Sequence, residues 1–323
     1  MWGDDMTVLL SSLANAASVP REKLLVMFSH THGAGLMDRT RADLPGGDLI
    51  GPYLDSLAEK LALLVRNADE NAAPAVVSYT SGRCSLATNR DSWDAASNQW
   101  VCGFNPEGPA DDTVIVARIS DFAGRVRGTV VNYACHPTTL AWDNTLISPD
   151  YVGAMREVVE DAMSAPCFFI QGASGDLGPR RGFTGDVLVA DANGRQLGYA
   201  VLSALESLSP AGTGYQYAGP VISGATIGVW NDVPFDAQKL QTKGLWRYRH
   251  WTVDMQYRPG LPTLDALAAE RERQVQAEAA ARASGDEAIA RNCRAKVEVA
   301  NRQMVRMRAI SPDRPYPFPI HAW

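Results

Sequence analysis

Three of the five histidines in this chain stand where predicted strands end. His30 and His32 lie in Ser29-His30-Thr31-His32-Gly33-Ala34-Gly35, directly after the apolar run Leu24-Leu25-Val26-Met27-Phe28. On an extended segment side chains two apart share a face, so both imidazoles are expected to project together. His136 closes another apolar run in Asn132-Tyr133-Ala134-Cys135-His136-Pro137-Thr138, which Pro137 ends. The ends of buried strands are where α/β proteins place ligand sites, and neutral imidazole is a good zinc ligand. The placement favours one shared site for all three; separate, internally satisfied histidines are the alternative.

A second signal follows the apolar run Cys167-Phe168-Phe169-Ile170. The loop Gln171-Gly172-Ala173-Ser174-Gly175-Asp176-Leu177-Gly178-Pro179-Arg180 is glycine-rich, so its backbone amides are expected to face a ligand, with Asp176 as a metal ligand or base. It lacks the Gly-Lys-Ser/Thr end of a Walker loop, and Pro179-Arg180 stand where a dinucleotide fingerprint needs its third glycine. Arg90 is the best candidate for an anion or oxyanion clamp, against a surface salt bridge. Asp150 reads as structural, with orientation of a metal-bound histidine as the other possibility. His250, among Trp246, Arg247, Tyr248 and Trp251, reads as packing rather than as an aromatic lid, and His321 receives no role.

The elements that must position these residues alternate. Short strands are expected at residues 24–28, 76–79, 114–117, 128–135 and 167–170, and Ile50, Tyr53, Leu54, Leu57, Ala58, Leu61 and Leu64 recur at helical spacing. A helix is expected to open with Ser148 as cap and Pro149 at its first position, burying Val152, Met155 and Val159. The run 114–119 lies close enough to 128–135 for a hairpin about Ala123-Gly124, so the expected fold class is α/β with a mixed sheet flanked by helices. Residues 263–308, rich in Ala, Arg and Glu, read as a helical hairpin broken at Ser284-Gly285-Asp286, with Asp286 capping its second helix. One domain over residues 1–323, incomplete at both ends, is the expected organisation.

Composition narrows the function. The 323 residues carry a formal charge of −6, which argues against a nucleic-acid binder working by counterion release. No stretch approaches the roughly eighteen apolar residues of a membrane-spanning helix. No basic segment precedes an apolar one near Met1, so no secretion signal is visible and the compartment stays open. The five cysteines form no CxxC pair, which offers neither a zinc knuckle nor a disulfide framework.

Taken in order, the blocks Ser29-His30-Thr31-His32-Gly33, Asn89-Arg90, Asn105-Pro106-Glu107-Gly108-Pro109, residues 132–137, Leu146-Ile147-Ser148-Pro149-Asp150 and residues 172–179 resemble the neutral/alkaline (non-lysosomal) ceramidase family, in its N-terminal catalytic domain. The resemblance implies a zinc amidase cleaving the N-acyl bond of ceramide. It places His30 and His136 on the family's zinc-ligand histidines, His32 on its second active-site histidine, and Arg90 on the arginine that contacts the reacting carboxyl or amide group. The chain departs from the pattern at Gly178, where the family has a functional serine, and at Asp176, where ceramidases tend to have Asn as opposed to bacterial relatives. The resemblance also implies further zinc ligands, a Glu and a Tyr, beyond Trp323, making the chain an internal piece of a longer domain.

The resulting expectation is a zinc-dependent hydrolase acting on a lipid-like or small-molecule amide, or a related acyl bond, through a metal-activated water. His30 and His136 bind Zn2+, His32 assists proton transfer, Arg90 holds developing negative charge, and Asp176 is a metal ligand or base. The alternatives are a non-catalytic relative that binds a lipid or glycan, and a metal-dependent phosphoesterase using the Arg90 clamp on phosphate.

Overall fold

The structure is a computed structural model describing residues 3–142, 144–245, 247–311 and 314–322; Trp246 and both chain-end residues lie outside it. Its contacts divide the chain into two compact units, residues 1–235 and 236–323. In the first, α1 (Gly3–Ala17) and α2 (Ile50–Glu70) precede β1 (Val76–Arg83), β2 (Ala87–Asn89), β3 (Asp91–Asp94), β4 (Gln99–Cys102), β5 (Thr113–Ser120) and β6 (Val126–Tyr133). Then come α3 (Tyr151–Met163), β7 (Cys167–Gln171), β8 (Leu177–Pro179), α4 (Val187–Glu206), β9 (Thr213–Ser223) and β10 (Ala225–Pro234). The second unit holds α5 (Ala237–Lys243), β11 (Arg249–Met255), α6 (Leu264–Ala283), α7 (Glu287–Ala309) and β12 (Tyr316–Ala322).

The core of the first unit is the sheet β1-β5-β6-β7. β1, β5 and β6 pair antiparallel, whereas β6 and β7 run parallel and are joined through α3, so the sheet is mixed, as the sequence predicts. The β5–β6 turn forms where expected. Asp121 accepts from the Ala123 and Arg125 amides through its side chain, and Gly124 supplies the positive φ of +85°. One sheet face buries Val114, Val116, Val131 and Tyr133 against Met155 and Val159 of α3 and Leu197 and Val201 of α4. These are the aliphatic positions that period-2 and period-3.6 patterns select. α3 and α4 approach closely at Gly194, where a Cβ would lie 2.3 Å from the Tyr151 carbonyl oxygen.

Two expectations fail locally. Residues 24–28 are not a strand: among the described residues no other segment pairs with them. Leu24 and Val26 pack instead against α1 and α2, while Leu25, Met27 and Phe28 stay exposed. Alternate burial thus arises in an extended segment without a ladder. The helix after His136 begins at Tyr151 and is capped by Asp150, two residues later than Ser148-Pro149 suggested. The Asp150 carboxylate both accepts from Tyr151 N and reaches Leu140 N at 2.9 Å, which a serine hydroxyl at 148 does not. The helical hairpin does form as α6 and α7, with Asp286 accepting from Ile289 N. Among the described residues no helix is long and apolar enough to cross a membrane.

Two buried phenols tie the sheet end to the site segments. Tyr133 Oη donates to Cys84 O at 2.6 Å and accepts from Ala87 N at 2.7 Å, and Tyr151 Oη donates to Cys135 O at 2.6 Å. Burial pushes both phenols far up from their ordinary pKa, so they act as neutral hydrogen-bonding pins. Tyr133→Phe strands a buried carbonyl and a buried amide at once and should cost about 2–4 kcal/mol of unfolding free energy. Urea denaturation checks this; a loss below about 1 kcal/mol would contradict the pinning role.

Candidate metal site

His30, His32 and His136 come together: one ring nitrogen from each lies within 4.8 Å of the others. The ring centroids are 5.2 Å apart for His30 and His32, 4.6 Å for His30 and His136, and 5.6 Å for His32 and His136. The route differs from the one the sequence suggested. Residues 29–33 are not extended, and His30 sits at φ +65°, a left-handed conformation that costs an L-residue on the order of 1–2 kcal/mol. Tertiary bonds hold that turn in place. His32 N donates to Pro137 O at 3.3 Å, Thr31 Oγ1 to Ser148 O at 2.7 Å, and Ser148 N to Gly33 O at 2.8 Å. Gly33 passes so near that a Cβ there would meet Ser148 O at 2.8 Å.

The glycine-rich loop works by its carbonyls, not by the amides expected from sequence. Four consecutive carbonyls each hold part of the site. Ser174 O faces His136 Nδ1 at 2.6 Å; Gly175 O accepts from Arg90 Nε and Nη2 at 3.1 and 2.8 Å. Asp176 O accepts from Arg90 N at 2.9 Å, and Leu177 O from His136 N at 3.1 Å. The antiparallel pairing of β2 with β8 brings Arg90 to this loop from far along the chain. Asp176 contributes this carbonyl; its side chain is exposed and its carboxylate stands outside the three-histidine group. Ser174 is buried, its Oγ accepting from Gln171 Nε2 at 2.7 Å. Asp150, 3 % exposed, is structural as read. His250 and His321 stack on each other across β11 and β12 in the second unit, with Tyr248 Oη 2.7 Å from His321 Nδ1.

The Ser174 carbonyl decides the chemistry of His136. A carbonyl can only accept, so Nδ1 carries the proton and Nε2 presents its lone pair. That Nε2 lies 2.9 Å from Nε2 of His30, and the His30 nitrogen donates to it. Two ligand nitrogens on a tetrahedral zinc, each about 2.0–2.1 Å away, stand roughly 3.3–3.4 Å apart, so a shift of a few tenths of an ångström admits the ion. A donor set of three imidazoles with one ring partnered to a carbonyl fits zinc well.

Burial and then the Arg90 charge hold His30 below the usual histidine pKa. For His136 burial again dominates. The Ser174 carbonyl opposes it, and Arg90 and His30 add to the lowering. Both rings are thereby kept in the neutral form a metal needs. Ser174, as a carbonyl partner, escapes any side-chain motif; the glycine-rich loop after β7 was its only trace.

No protein-family profile matches the chain, and no curated protein matches it. Among solved structures the chain is similar to a neutral ceramidase from Pseudomonas aeruginosa, at 14% identity and a TM-score of 0.40, over 67% of this chain and 37% of that one. It is also similar to a ceramidase complexed with C2, at 14% identity and a TM-score of 0.46, over 78% of this chain and 41% of that one. The chain thus spans about two fifths of the length of these structures.

Arg90→Gln removes a cation that disfavours imidazolium, so the pKa values of His30 and His136 should both rise in the metal-free protein, as read by NMR titration of the ring nitrogens. Unmoved values would show that Arg90 does not act on the pair. Because both folded values lie below the unfolded one of about 6.5, the histidines contribute stability that is present above that pH. This stability is lost as pH falls through the lowered values. Thermal unfolding of the metal-free protein from neutral to mildly acid pH should therefore weaken, and less steeply in Arg90→Gln.

Proposed function

We propose that this chain carries the histidine side of a metal-dependent hydrolase that cleaves an N-acyl amide or a related acyl bond. The observation that carries the reading is the pair of facing Nε2 atoms on His30 and His136, 2.9 Å apart, with His136 locked in the ligand tautomer by Ser174 O. Zinc held by His30 and His136 would supply a Lewis acid for the scissile carbonyl and a water of lowered pKa.

The chain's own residues supply the rest. His32, exposed beside the other two rings, takes the proton-transfer role, which amide cleavage requires because the leaving nitrogen must be protonated. Arg90 lies close enough to His30 and His136 to lower their pKa, and its guanidinium offers charge to an oxygen that becomes negative in the transition state. A ceramide-like lipid amide is the substrate class that the motif resemblance favours.

The test measures zinc content and turnover together. His30→Ala and His136→Ala should each weaken zinc binding by at least about 100-fold, beyond what loss of an outer partner costs. His32→Ala should keep the metal and lose turnover by roughly 100-fold or more, the scale of general acid–base catalysis. Equal zinc content in wild type and all three variants would refute the metal assignment. A panel of N-acyl amides, esters and phosphate esters separates the chemistry. Cleavage of phosphate esters alone would move the site to phosphoryl transfer, and turnover of none would make it a binding module.

A further inference from the structure

Behind the carbonyl that holds His136 stands a half-buried amide side chain to which the metal reading gives no role. Gln171, the last residue of β7, donates from Nε2 both to Cys135 O at 3.0 Å and to Ser174 Oγ at 2.7 Å. Its Oε1 is buried with no hydrogen-bond partner among the described residues. Turning the amide end for end would set Oε1 against Cys135 O, acceptor against acceptor. Cys135 O therefore fixes the orientation, and a carbonyl oxygen is left unpaired so that both amide hydrogens reach these two partners. Native structures rarely leave such an atom unpaired, because its lost hydration is uncompensated.

The two partners lie on either side of the His136 contact. Cys135 precedes His136, and its carbonyl also accepts from Tyr151 Oη at 2.6 Å, which anchors this end of the bridge to α3. Ser174 carries the carbonyl that lies 2.6 Å from His136 Nδ1. Leu177 N donates to the same carbonyl at 3.1 Å and closes a turn within the loop. That turn shapes the loop, whereas the Gln171 bridge ties residue 174 to the residue before the imidazole. The sheet delivers the bridge: Gln171 pairs with Tyr133 across the parallel β6–β7 ladder, and Gly172 N donates to Tyr133 O at 2.9 Å. Hydrogen bonds weaken steeply once they are misaligned, so a carbonyl serving one ring nitrogen has to be held in place.

We infer that Gln171 is a positioning residue: by clamping Ser174 to Cys135 it keeps the Ser174 carbonyl on His136 Nδ1 and so sets which ring nitrogen of His136 carries the proton. A neutral imidazole holds one proton, so every loss of the Nδ1–H form puts a proton on Nε2, the atom that faces His30 Nε2 at 2.9 Å. The consequence for a metal rests on the metal reading above: a protonated Nε2 has no lone pair to give.

Nitrogen NMR of the histidine rings in the metal-free protein, at a pH where they are neutral, reads the tautomer, with His250 and His321 as internal controls. Gln171→Met keeps the side-chain length and removes both donors and the unpaired oxygen. It should lower the ratio of Nδ1–H to Nε2–H forms of His136 about tenfold, the scale of one hydrogen bond. Ser174→Ala keeps the carbonyl and removes the other end of the clamp, so it should shift the ratio the same way; it carries the test alone if Gln171→Met does not fold. The double variant should shift no further than Gln171→Met, since both changes break one bridge. Zinc affinity, read by competition with a chelating dye, should fall at least about tenfold in each variant, the scale for losing a group that orients a ligand. An Nε2–H form of His136 in wild type, an unmoved ratio in the variants, or an equal shift in His250 and His321 would overturn the inference. So would a lower melting temperature with the tautomer unchanged, which is what packing alone predicts. A shift confined to the histidine cluster in a protein that binds no zinc supports the positioning role and rejects only the metal reading. Zinc affinity that falls with the tautomer unchanged rejects the positioning role alone.

Discussion

The site depends on one backbone carbonyl aimed at one imidazole. Ser174 O fixes the proton of His136 on Nδ1 and so leaves Nε2 with its lone pair. It is the first of four consecutive carbonyls, from Ser174 to Leu177, that grip His136 or Arg90. A loop that turns its carbonyls inward needs donors to meet them. A histidine Nδ1–H, a guanidinium and two amides are what the chain supplies. The loop in turn is held from below by β8, which pairs with β2 and carries Arg90 in beside it.

The electrostatics of the cluster follow from that geometry. A guanidinium next to two partly buried imidazoles opposes their protonation, and their own proximity opposes it further. The arrangement disfavours imidazolium and leaves the ring lone pairs free of protons. Arg90 thereby helps to keep both rings in the neutral form.

Two of the six non-glycine positions at positive φ among the described residues lie where this convergence is made. His30 adopts φ +65° and Asp150 φ +56°, neither being glycine. Each is held by several tertiary bonds: the Thr31, His32 and Gly33 contacts to residues 137 and 148 for the first, and the Asp150 carboxylate on Leu140 N and Tyr151 N for the second. The segments on either side of the site thus brace each other. Strain of this kind persists only where the surroundings over-determine it.

Much of the sheet was legible in the chain because its aliphatic runs are local signals. The strands around Val76, Val114, Val130 and Phe168, the β5–β6 turn, the α6–α7 hairpin with its Asp286 cap, and the buried stripe Val152, Met155, Val159 all follow from periodicity and turn chemistry. β12 was hidden by its prolines, which one edge of a two-stranded ribbon tolerates, and β2, β3 and β8 are too short to leave a pattern. Placement at expected strand ends marked the three histidines as a set, and the motif resemblance joined Arg90 to them. Only the tertiary structure decided how they meet: a left-handed turn at His30, not a strand, aims its ring, and carbonyls, not amides, line the loop. Such choices depend on hydrogen bonds between backbone groups distant along the chain, and every residue type carries those groups alike.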